Sequence, residues 1–272
     1  MESSVKWGGV VMDLSFEITG NGHPVVLIHS GGSDRRLWSL LIPFLSKHYK
    51  VIAFDGRGAG ESPNPIKHTN YVEDVRSLLD YLELKQATLI GHSMGGQIAT
   101  DLALTYPERV SKLVLIAPSL TGFIYSKEFE QYHNKIIEAA PNIDKMLELA
   151  LYSPTYQVVI RTPQKDLIVQ MLRQHFERML KWPADFCMDW PQPPAVGRLG
   201  ELKTKTLFMI GKLDVADNFR VAEEFKKVPN IRFIEIKDAD HMIPLTHAKV
   251  LYQDITTFIK DGSKNASYTR RE

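Results

Sequence analysis

Short apolar runs separated by stretches of helical period set the plan of this chain. Pro24 to Ile28, Lys50 to Phe54, Ala87 to Ile90, Lys112 to Ile116, Thr204 to Ile210 and Ile231 to Ile236 each have the length of a strand and are largely apolar. Runs of that kind predict strands buried in a sheet. Val10 to Ile18 reads as an earlier strand, with Val5 to Trp7 pairing to it across Gly8 and Gly9. Between the runs the period changes to that of a helix. Leu37 to Phe44 is amphipathic, Tyr71 to Leu82 carries Val72, Val75, Leu78, Leu79 and Leu82 on one face, and Gln97 to Tyr106 continues until Pro107 breaks it. Asn218 to Lys227 and Ala248 to Lys260 complete the set. Strands alternating with helices predict parallel pairing through right-handed crossovers, hence an α/β fold with a doubly wound sheet.

The alternation stops after Pro118. From Leu120 to about Pro194 no strand pattern is visible, and helical stripes take over: Phe129, Tyr132, Ile136 and Ile137, then Leu167, Ile168, Met171, Leu172, Phe176, Met179 and Leu180. Thr162 and Pro163 form a cap and first-turn pair for the second stripe. The predicted organisation is a core of residues 1–118 and 196–260, a helical insertion over 119–195, and a polar, disordered tail over 261–272.

Composition narrows the function classes. The 272 residues carry 33 Lys and Arg against 32 Asp and Glu, a net charge of +1, so no field draws the chain to nucleic acid or an anionic membrane. Cys187 is the only cysteine, which excludes an internal disulfide and a cysteine-based metal cluster. No histidine pair has metal-ligand spacing on a helix. Met1 to Val11 lacks the pattern of a secretory signal and no run of 18 apolar residues occurs, so the expected location is the cytoplasm.

The chemistry centres on Gly91, His92, Ser93, Met94 and Gly95, a G-x-S-x-G set between a predicted strand and a predicted helix. A chain of this length shows the pattern by chance about one time in ten, so its weight comes from that context. A serine hydroxyl is a poor nucleophile at neutral pH and needs a base and a group to orient the base. Asp214 follows one late strand in Gly211-Lys212-Leu213-Asp214, with Asp217 as its nearest rival. His241 follows the next in Asp238-Ala239-Asp240-His241, and His247 falls in or near the last helix. His29 and His92 read as loop-packing or supporting histidines. Gly56, Gly58 and Gly60 are spaced G-x-G-x-G, which does not match a dinucleotide-binding loop.

With GHSMGG at 91–96, DGRGAGES at 55–62, GKLD at 211–214 and DHMIPL at 240–245, the chain resembles the α/β-hydrolase superfamily over Pro24 to Lys260, the insertion excepted. The resemblance implies a mostly parallel eight-stranded sheet with a helical cap inserted after strand 6. It makes Ser93 the nucleophile, Asp214 the orienting acid and His241 the general base, and it requires no cofactor or metal. An oxyanion hole is expected from the backbone N–H of Met94 and of Gly31, with Gly32 as second choice. This sequence has His29-Ser30 where the family usually has His-Gly.

The insertion supplies Phe123, Tyr125, Tyr152, Tyr156, Trp182, Phe186, Met188 and Trp190, with Arg161, Arg173 and Arg178 scattered and unclustered. A small-to-medium apolar acyl compound fits such a wall better than a polyanion. Gly32, His92, Trp182, Phe186, Trp190 and Met242 are the residues expected beside it. The expected reaction is hydrolysis of a carboxylic ester or lactone through an acyl-enzyme. C–C bond hydrolysis, amide or iminopeptide hydrolysis, perhydrolysis and acyl transfer use the same parts, as does a ligand-binding or signalling protein with vestigial turnover. Haloalkane dehalogenases and epoxide hydrolases of this superfamily place aspartate where this chain has Ser93.

Overall fold

A computed structural model describes residues 12–261 and the backbone of Thr269–Arg270. In chain order the elements are β1 (Phe16–Thr19), β2 (Pro24–Ile28), α1 (Ile42–Leu45), β3 (Lys50–Phe54), β4 (His68–Thr69), α2 (Tyr71–Tyr81), β5 (Ala87–His92), α3 (Met94–Thr105) and β6 (Val110–Ile116). There follow α4 (Lys127–Glu138), α5 (Ile143–Leu151), α6 (Lys165–Met179) and β7 (Cys187–Met188). The chain then returns to β8 (Thr206–Gly211), α7 (Ala216–Phe225), β9 (Ile231–Ile236), α8 (Ile243–Thr246), α9 (Ala248–Lys260) and β10 (Thr269–Arg270).

The main sheet has the order β1-β3-β2-β5-β6-β8-β9-β10; β1 is antiparallel to β3 and every other pair is parallel. Alternate residues of each central strand serve opposite faces. Val25, Leu27, Val114, Ile116, Leu207 and Met209 pack on one side with Trp38, Leu251 and Phe258. Val26, Ile28, Leu113, Leu115, Phe208 and Ile210 pack on the other with Val75, Leu102 and Phe225. Both faces are covered, which is why these strands are apolar throughout instead of alternating.

Several expectations are corrected. Leu37 to Phe44 is not one helix: a 3-10 turn, Arg35–Trp38, is capped by the Asp34 carboxylate accepting from Arg36 N, and α1 starts separately around Pro43, whose missing N–H cannot extend the earlier turn. The second stripe of the insertion starts at Lys165, with Thr162 Oγ1 accepting from Gln164 N at 3.3 Å in the preceding turn. α5 was not foreseen, nor was β7, which pairs in parallel with β4 inside the stretch read as lacking strands. The strand expected at Val5 to Trp7, and Val10 and Val11, lie outside the described residues. Most of the tail expected to be disordered does too, but Thr269–Arg270 pairs with Ile234 and Glu235 and adds an eighth strand to the sheet.

Candidate active site

Ser93 stands at the tip of a hairpin-tight junction, between the last residue of β5 and the first of α3. Its backbone has φ 53° and ψ −117°, a region costing a non-glycine residue of order 1–3 kcal/mol. The surroundings hold it there: Ser93 N donates to Ile116 O at 3.0 Å, while its carbonyl accepts from Gly96 N at 2.9 Å and Ser119 N at 3.0 Å. The turn closes only with glycine beside it. A Cβ on Gly91 would stand 2.3 Å from Gly95 O, and one on Gly95 would stand 2.1 Å from Ile28 O. α3 therefore begins at once, three residues before its expected start.

Asp214 lies just beyond the end of β8, with its side chain fully buried. Its Oδ2 accepts from His241 Nδ1 at 3.0 Å; its Oδ1 accepts from Val215 N at 2.7 Å and from Asn218 Nδ2 at 2.8 Å. Asn218 Nδ2 is also 3.1 Å from His241 Nδ1, but a nitrogen that donates to Asp214 has no lone pair to offer, so the amide serves the carboxylate. The rival Asp217 faces elsewhere: it accepts from Ser126 N at 2.9 Å and Ser126 Oγ at 2.6 Å and pairs with Arg220 at 2.6 Å.

His241 sits in the loop after β9. Burial pulls its imidazole toward neutrality, but the charge and hydrogen bond of Asp214, together with Asp240, outweigh it and hold the pKa above the ordinary histidine value. With Nδ1 donating to Asp214, Nε2 carries the lone pair. Ser93 and His241 flank one cavity of about 880 Å³, and no hydrogen bond joins them among the described residues. Contacts of this kind often tighten only in the substrate complex.

The loop after β2 forms the cavity wall beside Ser93. Ser33 N donates to Ser30 O at 3.3 Å and the Ser30 and Ser33 hydroxyls are 2.9 Å apart, so the serine that replaces glycine is absorbed into the turn. His29 Nδ1 donates to Ser30 O at 2.8 Å and its Nε2 accepts from Gly56 N at 2.9 Å, which fixes a neutral tautomer. Burial lowers its pKa accordingly. Gly31 and Met94 both line the cavity, and Met94 opens α3, so its N–H has no acceptor within the helix. The 55–62 segment is wound around Asp55, whose carboxylate accepts from Arg35 N at 2.8 Å and Glu61 N at 2.9 Å and pairs with the Arg35 guanidinium. It borders the cavity through Gly56 to Ala59.

Of the residues expected beside a substrate, Gly32, Trp182, Phe186 and Met242 line the cavity. His92 and Trp190 do not. His92 is fully buried behind His241, ring centroids 4.7 Å apart, and donates from Nε2 to His241 O at 2.8 Å. Burial first, and the neighbouring His241 second, keep it neutral. Trp190 packs on the core face that holds α2, α3 and α7. Tyr125, Tyr156 and Met188 reach the cavity, whereas Tyr152 is 89% exposed and Phe123 lies under the Arg220 guanidinium. Sequence reading missed Asn218, whose only signal is its place one helical turn beyond Asp214. It also missed His175, a cavity-lining imidazole of α6 whose pKa burial depresses to about 4.

The likeness to known proteins is one of family and fold. A family model described as the alpha/beta hydrolase fold matches residues 23–248. A pimeloyl-[acyl-carrier protein] methyl ester esterase of Legionella pneumophila is 26% identical over 261 residues, 92% of this chain and 100% of that protein. A 2-hydroxy-6-oxo-6-phenylhexa-2,4-dienoate hydrolase of Comamonas testosteroni is 27% identical over 74% of each chain. Among solved structures, the enol-lactonase of Burkholderia xenovorans superposes with a TM-score of 0.71 at 23% identity, covering 91% of this chain and 96% of that one.

Proposed function

Because the chain belongs to the α/β-hydrolase family, we propose that it is a serine hydrolase that cleaves a carboxylic ester or lactone of a small-to-medium apolar acyl compound. The observation that carries this reading is the buried Asp214–His241 hydrogen bond at the edge of the cavity that Ser93 lines. Ser93 Oγ attacks the carbonyl carbon as His241 Nε2 takes its proton. The oxyanion so formed is held by the N–H groups of Met94 and Gly31. His241 then returns the proton to the departing alkoxide, leaving an acyl-serine and the alcohol. Water, deprotonated by the same Nε2, releases the acid and restores Ser93. The segment 119–195 acts as a cap whose apolar side chains close the pocket and exclude bulk water. Resident metal or cofactor has no part in this sequence of steps.

A C–C bond hydrolase is the second reading, supported by the likeness to the dienoate hydrolase. A fluorophosphonate probe with a panel of p-nitrophenyl esters of increasing acyl length tests the first. Labelling at Ser93 with sustained ester turnover is the expected result. Labelling with turnover only of vinylogous 1,5-diketones moves the assignment to the second reading, and a single stoichiometric burst moves it to a ligand-binding protein. Turnover that survives Ser93→Ala would overturn the mechanism.

A further inference from the structure

Asp240 is fully buried, yet it touches none of the reacting atoms in these steps. Its carboxylate accepts three backbone N–H bonds drawn from two separate parts of the chain. Oδ1 takes Met242 N at 3.0 Å; Oδ2 takes Val158 N at 2.7 Å and Val159 N at 3.1 Å. The first bond closes a turn around His241, since Asp240 precedes it and Met242 follows it. The other two come from the start of a 3-10 turn, Val159–Arg161, in the helical segment between α5 and α6. One side chain therefore fixes the backbone that carries the imidazole and also receives the segment that roofs the cavity.

We propose that Asp240 is a positioning residue that couples the seating of the helical segment to the placement of His241. The coupling rests on the reading of His241 as general base. With the segment seated, three donors spread the carboxylate charge. With it lifted, two donors are lost, and the less compensated charge next to His241 favours the imidazolium, a form that cannot accept the serine proton. The base is released for work only under a closed roof. The other groups facing this cluster are Asp214 and His92 against His241, Tyr156 from the preceding turn, and His247, which also faces Asp238. Burial raises the Tyr156 pKa and lowers that of His247, so neither carries charge near neutrality.

The test compares kcat/KM against pH for Asp240→Asn, Asp240→Glu and the unaltered enzyme on one p-nitrophenyl ester. The expected result is an acid limb displaced to lower pH by about half a unit or more in Asp240→Asn, with a plateau lowered by about tenfold. Asp240→Glu returns the limb toward its original position. A merely structural carboxylate would lower the plateau and leave the limb where it was, and that result overturns the proposal. Fluorophosphonate labelling at pH 9 separates the two failures: an unmoved limb with normal labelling sinks the role of Asp240 alone, whereas absent labelling of the unaltered enzyme sinks the base assignment itself. Should Asp240→Asn not fold, the amide protons of Val158 and Val159 in the unaltered enzyme give the answer by NMR. Their shifts follow the acid limb if the coupling exists, and amides indifferent to it overturn the proposal.

Discussion

The carboxylate of Asp214 links His241 to Asn218: Oδ2 accepts from the His241 ring at 3.0 Å, and Oδ1 accepts from the Asn218 amide at 2.8 Å beside Val215 N at 2.7 Å. The amide stops the carboxylate from rotating away from the imidazole. Asn218→Ala leaves one buried oxygen short of a donor, a loss of about 1–3 kcal/mol. The expected outcome is a kcat lower by about 10- to 100-fold with KM little changed, read by steady-state kinetics. A variant with normal kcat would show that Val215 N alone suffices to orient the acid.

The pH profile follows from the raised pKa of His241. The base works only when unprotonated, so kcat/KM falls as pH drops through a value above the ordinary 6.5. Asp214→Asn removes the principal influence that raises it, so the limb moves to lower pH while kcat drops by about 10⁴ as the ring loses its tautomer. A flat profile between about pH 5 and 8 would contradict a histidine base.

The strained backbone of Ser93 sets stability against activity. Ser93→Ala keeps the strain, retains the fold and loses at least ~10⁴ of kcat. Ser93→Gly is equally inactive but relieves the positive φ, a gain that exceeds glycine's own entropic cost of about 0.5–1 kcal/mol. Thermal unfolding is expected to place Ser93→Gly above Ser93→Ala; the reverse order would mean that the turn is not under strain.

Asp101, on the buried side of α3, accepts a hydrogen bond from Thr121 Oγ1. Burial pushes its pKa up to about 6, against the lowering influence of that bond and of Arg198. The folded state thus holds its proton more tightly than the ordinary value of 3.8 allows. The resulting stability is complete below about pH 3.8 and lost as pH rises through about 6. Asp101→Asn should therefore be more stable than the unaltered protein at pH 7.5, by about 1–3 kcal/mol, with the advantage vanishing near pH 3.5. Chemical denaturation at the two pH values measures both ends.

Much of this arrangement was legible because burial on both faces leaves an unmistakable mark. The runs 24–28, 50–54 and 112–116 needed no structure to be read as strands, and the ends of β5, β8 and β9 carry the three side chains of the candidate site. Asp214 was preferred to its rival Asp217 on the GKLD motif, and in space the two face different partners, His241 and Ser126. Pairing of two residues, as in β4 with β7, is too short for any period to register. His92 was expected beside the substrate because it neighbours Ser93 in sequence, and Trp190 because it belongs to the aromatic set of the insertion. Both turn their rings into packed protein, a choice that adjacency along the chain does not encode.

The two-residue ladder between β4 and β7 is one of several ties along the helical segment. Ser126 is held by Asp217 at its entry, Gln157 Nε2 by Leu213 O at 2.9 Å in the middle, Arg178 by Gly60 O at 2.6 Å, and Cys187 N by Lys67 O at 2.7 Å at its exit. A roof pinned at entry, middle and exit has no single hinge about which to swing. Admission of a ligand then falls to local loosening at the middle of the segment, where Val158 and Val159 meet Asp240, together with rotation of side chains at the portal, and not to a swing of the whole roof. Breadth of substrate choice is accordingly a matter of which portal side chains turn aside and how far.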